Sequence, residues 1–342
     1  MNVPPTGLPF DDIRNVLRAL PLRDDDAIAQ VRERDAQLTK PAGALGRLEE
    51  IVEWLAGWQG QAVPTVDRPL IAVFAANHGV TARGVSAYPA DVTRQMVENF
   101  AAGGAAVNQI ALQTGAGLKV FDLALDMPTP DICAGDALSE AECAATMAFG
   151  MEAIAGGADL LCVGEMGIGN TTIAAALSCA LFGGAPEDWV GPGTGVAGDA
   201  MTRKIETVKT ALDHHGQALR DPLEALRRVG GRELAAIAGA ILAARHQRIP
   251  VLLDGFVATA AAAVLYKLDE GALDHCLAAH CAAEPAHGRL LAALGKTPLL
   301  DLGMRLGEGS GAALAISIVK AALATHTGMA TFDQAGVSSP LD

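Results

Sequence analysis

The stretch ADLLCVGEMGIGNTTIAAAL, residues 158–177, passes from a short apolar run through a glycine-containing loop into an alanine-rich segment. A buried β-strand that ends in a tight turn and a helix has this order. Gly167 and Gly169 permit the turn, because glycine adopts backbone conformations that other residues avoid. Asn170 or Thr171 can cap the helix, so the stretch predicts a strand, a loop and a helix.

The same order recurs elsewhere in the chain. Short apolar runs followed by polar or glycine-containing loops lie at residues 69–76, 118–125, 249–256 and 298–311, and a helix is expected from about residue 91. Buried strands that alternate with helices are typical of a parallel sheet covered on both faces. We therefore predict an α/β fold with a Rossmann-like sheet, whose ligands bind beyond the carboxyl ends of the strands.

The region before the first strand differs, because its apolar residues recur at helical spacing. Three helices are predicted there, at residues 11–20, 25–37 and 45–58. We expect residues 1–65, together with part of 321–342, to form a smaller helical domain. Residues 66–320 are expected to form the α/β catalytic domain.

Composition excludes several classes of protein. Of the 342 residues, 51% are hydrophobic and 19% are charged, as in a folded globular protein. The formal net charge of -14 argues against binding to nucleic acid or an anionic membrane, because both favour clustered Lys and Arg. A bound phosphate would therefore be held mainly by backbone N–H groups and helix ends.

The cysteines and the termini suggest a compartment. The six cysteines are scattered through apolar segments without paired short spacings, which favours a reduced, cytoplasmic protein. The polar, Pro-rich N-terminus is unlike a signal peptide, and polar residues interrupt every long apolar run. We expect neither secretion nor a membrane span.

One carboxylate stands out in RLGEGSGAALA, residues 305–315, where Glu308 lies between two glycines and ahead of a predicted helix. Glu308 is either a group with a chemical role or an acid that interacts with the helix dipole. Three other carboxylates, Glu165, Asp254 and Asp301, also lie at or beyond predicted strand ends. Only Glu308 has glycine on both sides, so it is the candidate for chemistry.

Three further segments carry polar groups. In residues 77–89, Ser86 and Tyr88 suit a flat heterocycle, although Tyr88 and Pro89 could equally form a plain turn. The turn GPGTGV at 191–196 is weaker as a ligand-binding signal. Residues 274–287 contain three histidines, two cysteines and Glu284, but the run CLAAHCAA predicts a buried strand, and no standard zinc spacing is present. We expect no metal and no cofactor.

Six motifs in order resemble the nicotinate-nucleotide–dimethylbenzimidazole phosphoribosyltransferase family of cobalamin biosynthesis, and the resemblance runs from about Leu38 to Val337. The motifs are KPAGALGRLE (40–49), HGVTARGVSAYP (78–89), GEMGIGNTT (164–172), DGFVATAAA (254–262), AEPAH (283–287) and LDLGMRLGEGSGAALA (300–315). The resemblance implies transfer of phosphoribose from nicotinate mononucleotide to 5,6-dimethylbenzimidazole, giving α-ribazole 5′-phosphate and nicotinate. It also implies a homodimer, a Rossmann-like large domain with a small helical domain, and no metal.

The resemblance also implies roles for residues. The family's catalytic glutamate corresponds to Glu308, and Glu165 helps to orient the base. Ser86, Tyr88 and Met166 correspond to the benzimidazole site. The residues expected at the nucleotide phosphate and ribose are Gly167, Gly169, Asn170, Gly307, Gly309, Ser310 and Gly311.

One position departs from the family pattern. Ala282 stands where members often have a serine near the phosphate, so a hydroxyl donor worth about 1 kcal/mol is lost or a water replaces it. Two other functions remain as alternatives. A non-catalytic nucleotide- or azole-binding module could keep the fold, although the intact Glu308 argues against it. A Rossmann oxidoreductase is disfavoured, because no strand precedes G-x-G-x-x-G with an acid about 20 residues later.

Overall fold

The fold is built around a five-stranded parallel sheet in a computed structural model that describes residues 7–338. The strands are β1 (Pro69–Ala75), β2 (Gly117–Asp122), β3 (Leu160–Met166), β4 (Val251–Leu253) and β5 (Cys276–Ala278). Their order across the sheet is β2-β1-β3-β4-β5, and every neighbouring pair is parallel. The predicted Rossmann-like parallel sheet is confirmed, in the doubly wound order whose direction of winding reverses between β1 and β3.

Helices connect the strands and cover the sheet. Within residues 7–338 they are α1 (Phe10–Arg18), α2 (Asp25–Asp35), α3 (Arg47–Gln59), α4 (Val92–Ala101), α5 (Ala106–Thr114), α6 (Glu140–Ala153), α7 (Asn170–Phe182), α8 (Asp199–His215), α9 (Pro222–Val229), α10 (Arg232–His246), α11 (Phe256–Leu268), α12 (Pro285–Ala293), α13 (Ser310–Gly328) and α14 (Phe332–Ala335). Short 3₁₀ segments lie at Gly79–Arg83, Pro186–Asp188, Gly216–Arg220 and Glu270–Leu273. The helices predicted before the first strand and after residue 91 are confirmed, with ends that differ by at most two residues.

Alternate residues of each strand enter two separate cores, because successive side chains of a strand point to opposite faces. On β1, Ala72 and Phe74 enter the core formed with α1, α6, α7, α10 and α11, whereas Ile71 and Val73 enter the core formed with α2, α3, α5 and α13. Both faces of the sheet are therefore buried, which explains the continuous apolar runs in the sequence.

The N-terminal helices divide between these two faces. Phe10 of α1 lies in the core that contains α6, whereas α3 packs with both α2 and α13. The chain near the end of α13 also joins α2, since Thr39 N–H donates to the Ala330 carbonyl at 3.1 Å and Phe332 N–H donates to the Gln37 carbonyl at 3.0 Å.

One predicted strand is wrong. Residues 298–311 form no strand in the described structure, and the segment contributes a single bridge between Leu300 and His280. The segment stays beside the chain that follows β5, since Ala283 N–H donates to the Met304 carbonyl at 2.8 Å. The positive φ values of Gly303 and Gly307, 66° and 82°, interrupt the extended conformation that a strand requires. The strand predicted in CLAAHCAA is confirmed as β5, beside which this segment runs.

Within the described residues, no helix combines the length and the hydropathy that a membrane span requires.

Candidate active site

A cleft of about 650 Å³ opens beyond the carboxyl ends of the strands. Its walls come from the loop after β1, the ends of β3 and β4, the chain after β5 and the loop before α13. The loops after β1 and β3 flank the point where the winding of the sheet reverses, and ligands of doubly wound sheets bind at this point. Of the residues predicted at the site, Tyr88, Glu165, Met166, Gly167, Asn170, Gly307 and Glu308 line this cleft.

Glu308 lies in the wall of the cleft immediately before α13. It is 5% exposed, and its Oε2 atom has no hydrogen-bond partner within the described residues. Burial, followed by the negative charge of Asp254, raises the pKa of Glu308 to about 7. A carboxylate with this pKa and a free oxygen can accept a proton from a ligand near neutral pH. Glu308 precedes the helix cap and is therefore not an ordinary first-turn acid.

Glu165 is the second carboxylate of the cleft, at the end of β3. Burial raises its pKa to about 8, with Asp254, Glu233 and Glu308 adding to the effect. The side-chain amide of Asn170 donates a hydrogen bond to Glu165 Oε2 and opposes the rise. Glu165 is thus a largely protonated group beside the more acidic Glu308, and it can orient a ligand by hydrogen bonding.

The cleft that contains these carboxylates also has an apolar part. This part is formed by Tyr88, Met166 and the α4 side chains Val92 and Met96. Tyr88 is 55% exposed and stands at the rim. Ser86 is not in the cleft wall, and its hydroxyl lies 3.1 Å from the Thr194 hydroxyl, which is in the wall. An apolar slot with nearby hydroxyl and carboxylate groups suits a flat heterocycle.

A polar part of the wall is held together by hydrogen bonds around Gly193. Arg305 donates to the Gly193 carbonyl at 2.9 Å, and the Gly193 N–H donates to Glu284 at 3.1 Å. Behind this wall the buried Lys204 donates to the Thr171 hydroxyl at 2.8 Å, and burial lowers its pKa to about 8. The cleft wall thus carries the exposed guanidinium of Arg305, with a buried ammonium behind it, so a phosphate there would not depend on backbone N–H groups alone.

The start of α7 differs from expectation in one respect. The prediction that Asn170 or Thr171 caps this helix is wrong, since Gly169 occupies the cap position with a φ of 91° and Asn170 is the first helical residue. Asn170 is instead free to bind Glu165. Gly169 is not in the cleft wall and lies against Thr81, whereas Gly167 is in the wall.

The turn before α13 uses its polar groups within the protein. Gly309 N–H and Ala312 N–H donate to the two oxygens of Asp254, at 3.1 and 2.8 Å. The Ser310 hydroxyl donates to the Gly307 carbonyl at 2.7 Å. Gly309, Ser310 and Gly311 are not in the cleft wall, so their contact with a nucleotide stays a prediction.

The histidines and cysteines of residues 274–287 have separate protein contacts. His275 Nε2 lies 3.0 Å from the Ile241 carbonyl, and His287 Nε2 lies 3.0 Å from the Thr259 hydroxyl. His280 lines the cleft, with Nε2 3.6 Å from Asp254 Oδ1. In residues 7–338, no three His, Cys, Asp or Glu side chains are arranged to hold a metal ion.

Several wall residues were not predicted. Phe256 and Arg305 lie inside motifs that had been recognised, and their neighbours in the sequence could have indicated them. Lys204, which lies behind the wall, had no such signal, because its burial and its approach to Thr171 come from the packing of α8 on α7.

Similarity to known proteins agrees with this geometry. A phosphoribosyltransferase family model matches residues 20–337. Nicotinate-nucleotide–dimethylbenzimidazole phosphoribosyltransferases from Allorhizobium ampelinum and Rhizobium etli are 66% and 68% identical, covering 98% and 97% of this chain and 98% of each relative. The crystal structure of the enzyme of that name from Thermus thermophilus superposes with a TM-score of 0.85 at 44% identity, over 93% of this chain and 100% of that one. This chain belongs to the nicotinate-nucleotide–dimethylbenzimidazole phosphoribosyltransferase family.

Proposed function

We propose that this chain transfers phosphoribose from nicotinate mononucleotide to 5,6-dimethylbenzimidazole, releasing nicotinate and forming α-ribazole 5′-phosphate. The observation that carries the proposal is Glu308, a buried carboxylate with an unpartnered oxygen in the wall of a cleft that has apolar and cationic parts, as seen in the described residues. A relative named for this reaction is 68% identical over 333 residues.

The reaction assigns a task to each carboxylate. A ring nitrogen of the benzimidazole attacks the anomeric carbon while the bond from that carbon to the nicotinate nitrogen breaks, and the electron pair leaves with nicotinate. The proton of the benzimidazole N–H passes to Glu308, which acts as general base and favours the positive charge that develops on the sugar. Glu165 orients the incoming base. Attack on the face opposite the leaving group inverts the β configuration to α.

The two parts of the cleft suit the two substrates. Tyr88, Met166 and Met96 would contact the benzimidazole, and Asn170 and Arg305 would bind the charged nucleotide. Ala282 lies in the wall without a hydroxyl, so nucleotide binding would rely on the other donors.

The test is a chromatographic assay of nicotinate and of the riboside product, with wild type and Glu308→Gln compared. We expect the Gln variant to fold, to bind nicotinate mononucleotide and to turn over at least about a hundredfold more slowly, since the amide cannot accept the proton. Glu270→Gln is the matched control, because Glu270 is exposed. A folded Glu308→Gln variant with near-normal turnover would remove the base role, and wild type that binds the nucleotide without making product would favour the binding-module alternative.

We also propose that the protein is a homodimer that works in the cytoplasm. The dimer follows from the family resemblance. The cytoplasmic location is supported by the cysteines, all six of which lie in the described part of the chain and are free.

A further inference from the structure

The turn that carries Glu308 has an uncommon backbone conformation. Glu308 has a φ of 65°, and its neighbours Gly307 and Gly309 have φ values of 82° and 78°. A non-glycine residue in the left-handed region costs free energy, so the surrounding structure must hold it there. This conformation places the carboxylate of Glu308 in the cleft wall, where its Oε2 atom has no hydrogen-bond partner among the described residues.

A carboxylate from a neighbouring strand holds this turn. Asp254 follows β4, is 1% exposed and is not in the cleft wall. Its Oδ2 accepts from Gly309 N–H, the residue after Glu308, and its Oδ1 accepts from Ala312 N–H in the first turn of α13. Asp254 therefore supplies the side-chain cap that α13 lacks at its own Gly309 cap position.

The opposite side of the turn lies directly against β3. Glu308 N–H donates to the Glu165 carbonyl at 3.2 Å, and a Cβ at Gly164 would come within 2.5 Å of the Gly309 nitrogen. The turn is thus clamped between the end of β3 and Asp254, and a shift in either moves Glu308 relative to the cleft.

We propose that Asp254 is a positioning residue for the transfer reaction: by binding the first turn of α13, it holds Glu308 in the left-handed conformation that places its carboxylate in the cleft. The proposal rests on the proposed function and on the general-base role of Glu308.

The negative charge of Asp254 also affects the pKa of Glu308. Burial raises the pKa of Asp254, while nearby His280 and the N–H groups of Ala312 and Gly309 favour its ionised form. The ionised carboxylate in turn contributes to the raised pKa of Glu308. Among the described residues, the other titratable or charged side chains that line the cleft with Glu308 are Tyr88, Glu165, His280, Glu284 and Arg305. Glu233 of α10 acts through Glu165.

The test compares the pH dependence of turnover in wild type and Asp254→Asn. The amide retains one acceptor oxygen but places an NH₂ group against the second N–H, so the turn shifts. We expect kcat to fall about a hundredfold, as for other small misplacements of a reacting group, with nicotinate mononucleotide binding nearly unchanged. The lower limb of the pH–kcat profile should move to lower pH, because removing a negative charge lowers the pKa of Glu308.

Two further variants separate conformation from charge. Gly309→Ala strains the same turn without changing charge, since its Cβ would lie 3.2 Å from Ile71 Cγ2 at a positive φ, so it should lower kcat and leave the pH limb in place. Asp301→Asn makes the same chemical change at an exposed carboxylate and should change neither quantity.

The outcomes separate the two proposals. Folded Asp254→Asn with wild-type kcat would overturn the positioning role. A loss of kcat with an unmoved pH limb would support a role through the turn alone and would refute the effect of the Asp254 charge on Glu308. If Asp254→Asn does not fold, Gly309→Ala tests the turn by itself, and normal kcat in that variant would overturn the proposal. Wild type that makes no product would instead refute the proposed function.

Discussion

Glu165 and Glu308 retain protons to higher pH than exposed glutamates because both lie in a low-dielectric wall near the negative charge of Asp254. This environment suits proton transfer, but it destabilises the folded protein at a pH where the buried carboxyl groups must ionise. A carboxyl whose pKa is higher in the folded state binds its proton more tightly there than in the unfolded chain. Its stabilising contribution is complete below the unfolded pKa and is lost as pH rises through the folded value.

Replacement of Glu165 by glutamine tests how much stability the protein loses when the buried Glu165 ionises. The Glu165 pKa is about 8 in the folded protein against an ordinary value of 4.5, so wild type should lose stability relative to Glu165→Gln between pH 5 and 8. We expect the difference in the free energy of unfolding between the two proteins to change by an amount on the order of 2 kcal/mol. This is less than the free energy that corresponds to the whole pKa shift, because the side chain is partly exposed and solvent screens its charge. Urea denaturation at both pH values measures it. A free-energy difference between the two proteins that stayed constant with pH would contradict the assigned pKa.

At the scale of elements, a close helix contact joins α6 and α10 beside the sheet. A Cβ at Gly239 would overlap the carbonyl oxygen of Met147, and one at Gly150 would overlap that of Ala236. Glycine at these two positions lets the backbones touch, so the small residues of the sequence set the distance between the helices.

Gly239→Ala should therefore destabilise the fold. The added methyl group forces α10 away from α6, and overpacking of this kind costs about 1–3 kcal/mol. Gly328→Ala is the matched control, because Gly328 also lies in a helix but a Cβ there would meet nothing within 4 Å among the described residues. Thermal unfolding of both variants measures the effect, and an equal midpoint for Gly239→Ala and wild type would show that the helices separate without cost.

At the scale of the whole molecule, large apolar side chains remain exposed near the cleft. Tyr88, Leu302 and Leu306 are 55%, 60% and 55% exposed. Exposed apolar residues that cluster around a site are typical of an interface with another chain.

We expect the purified protein to have a mass near twice the 35.0 kDa of the chain. Burial of exposed apolar surface between two copies would provide the driving force. Light scattering coupled to size-exclusion chromatography measures this mass over a range of protein concentrations. A single monomer mass at tens of micromolar would contradict the dimer.

The predicted domain division stays a prediction at this scale. The packing of α3 with α2 and α13 and the Thr39–Ala330 hydrogen bond support a helical unit that joins both ends of the chain. In contrast, α1 packs on the opposite face of the sheet with α6.

Local patterns in the sequence were sufficient for the five strands of the sheet, for the helices before the first strand and directly after residues 91 and 169, and for the glycine-flanked Glu308. Apolar periodicity follows directly from which faces are buried, and parallel strands bring their carboxyl ends to one edge, so the loops at 77–89, 164–170 and 305–311 could be placed together. The same patterns failed at residues 298–311, where glycine conformations override an apolar run.

The tertiary structure supplied the relations between residues that are distant in the chain. It placed Asp254 on the turn of Glu308, buried Lys204 beside Thr171 and brought Arg305 to Gly193. The pKa values near 7 and 8 at Glu308 and Glu165 also depend on these relations. Burial and the distance between two charges set such values, and both arise only when separate elements pack, because no local stretch of sequence contains them.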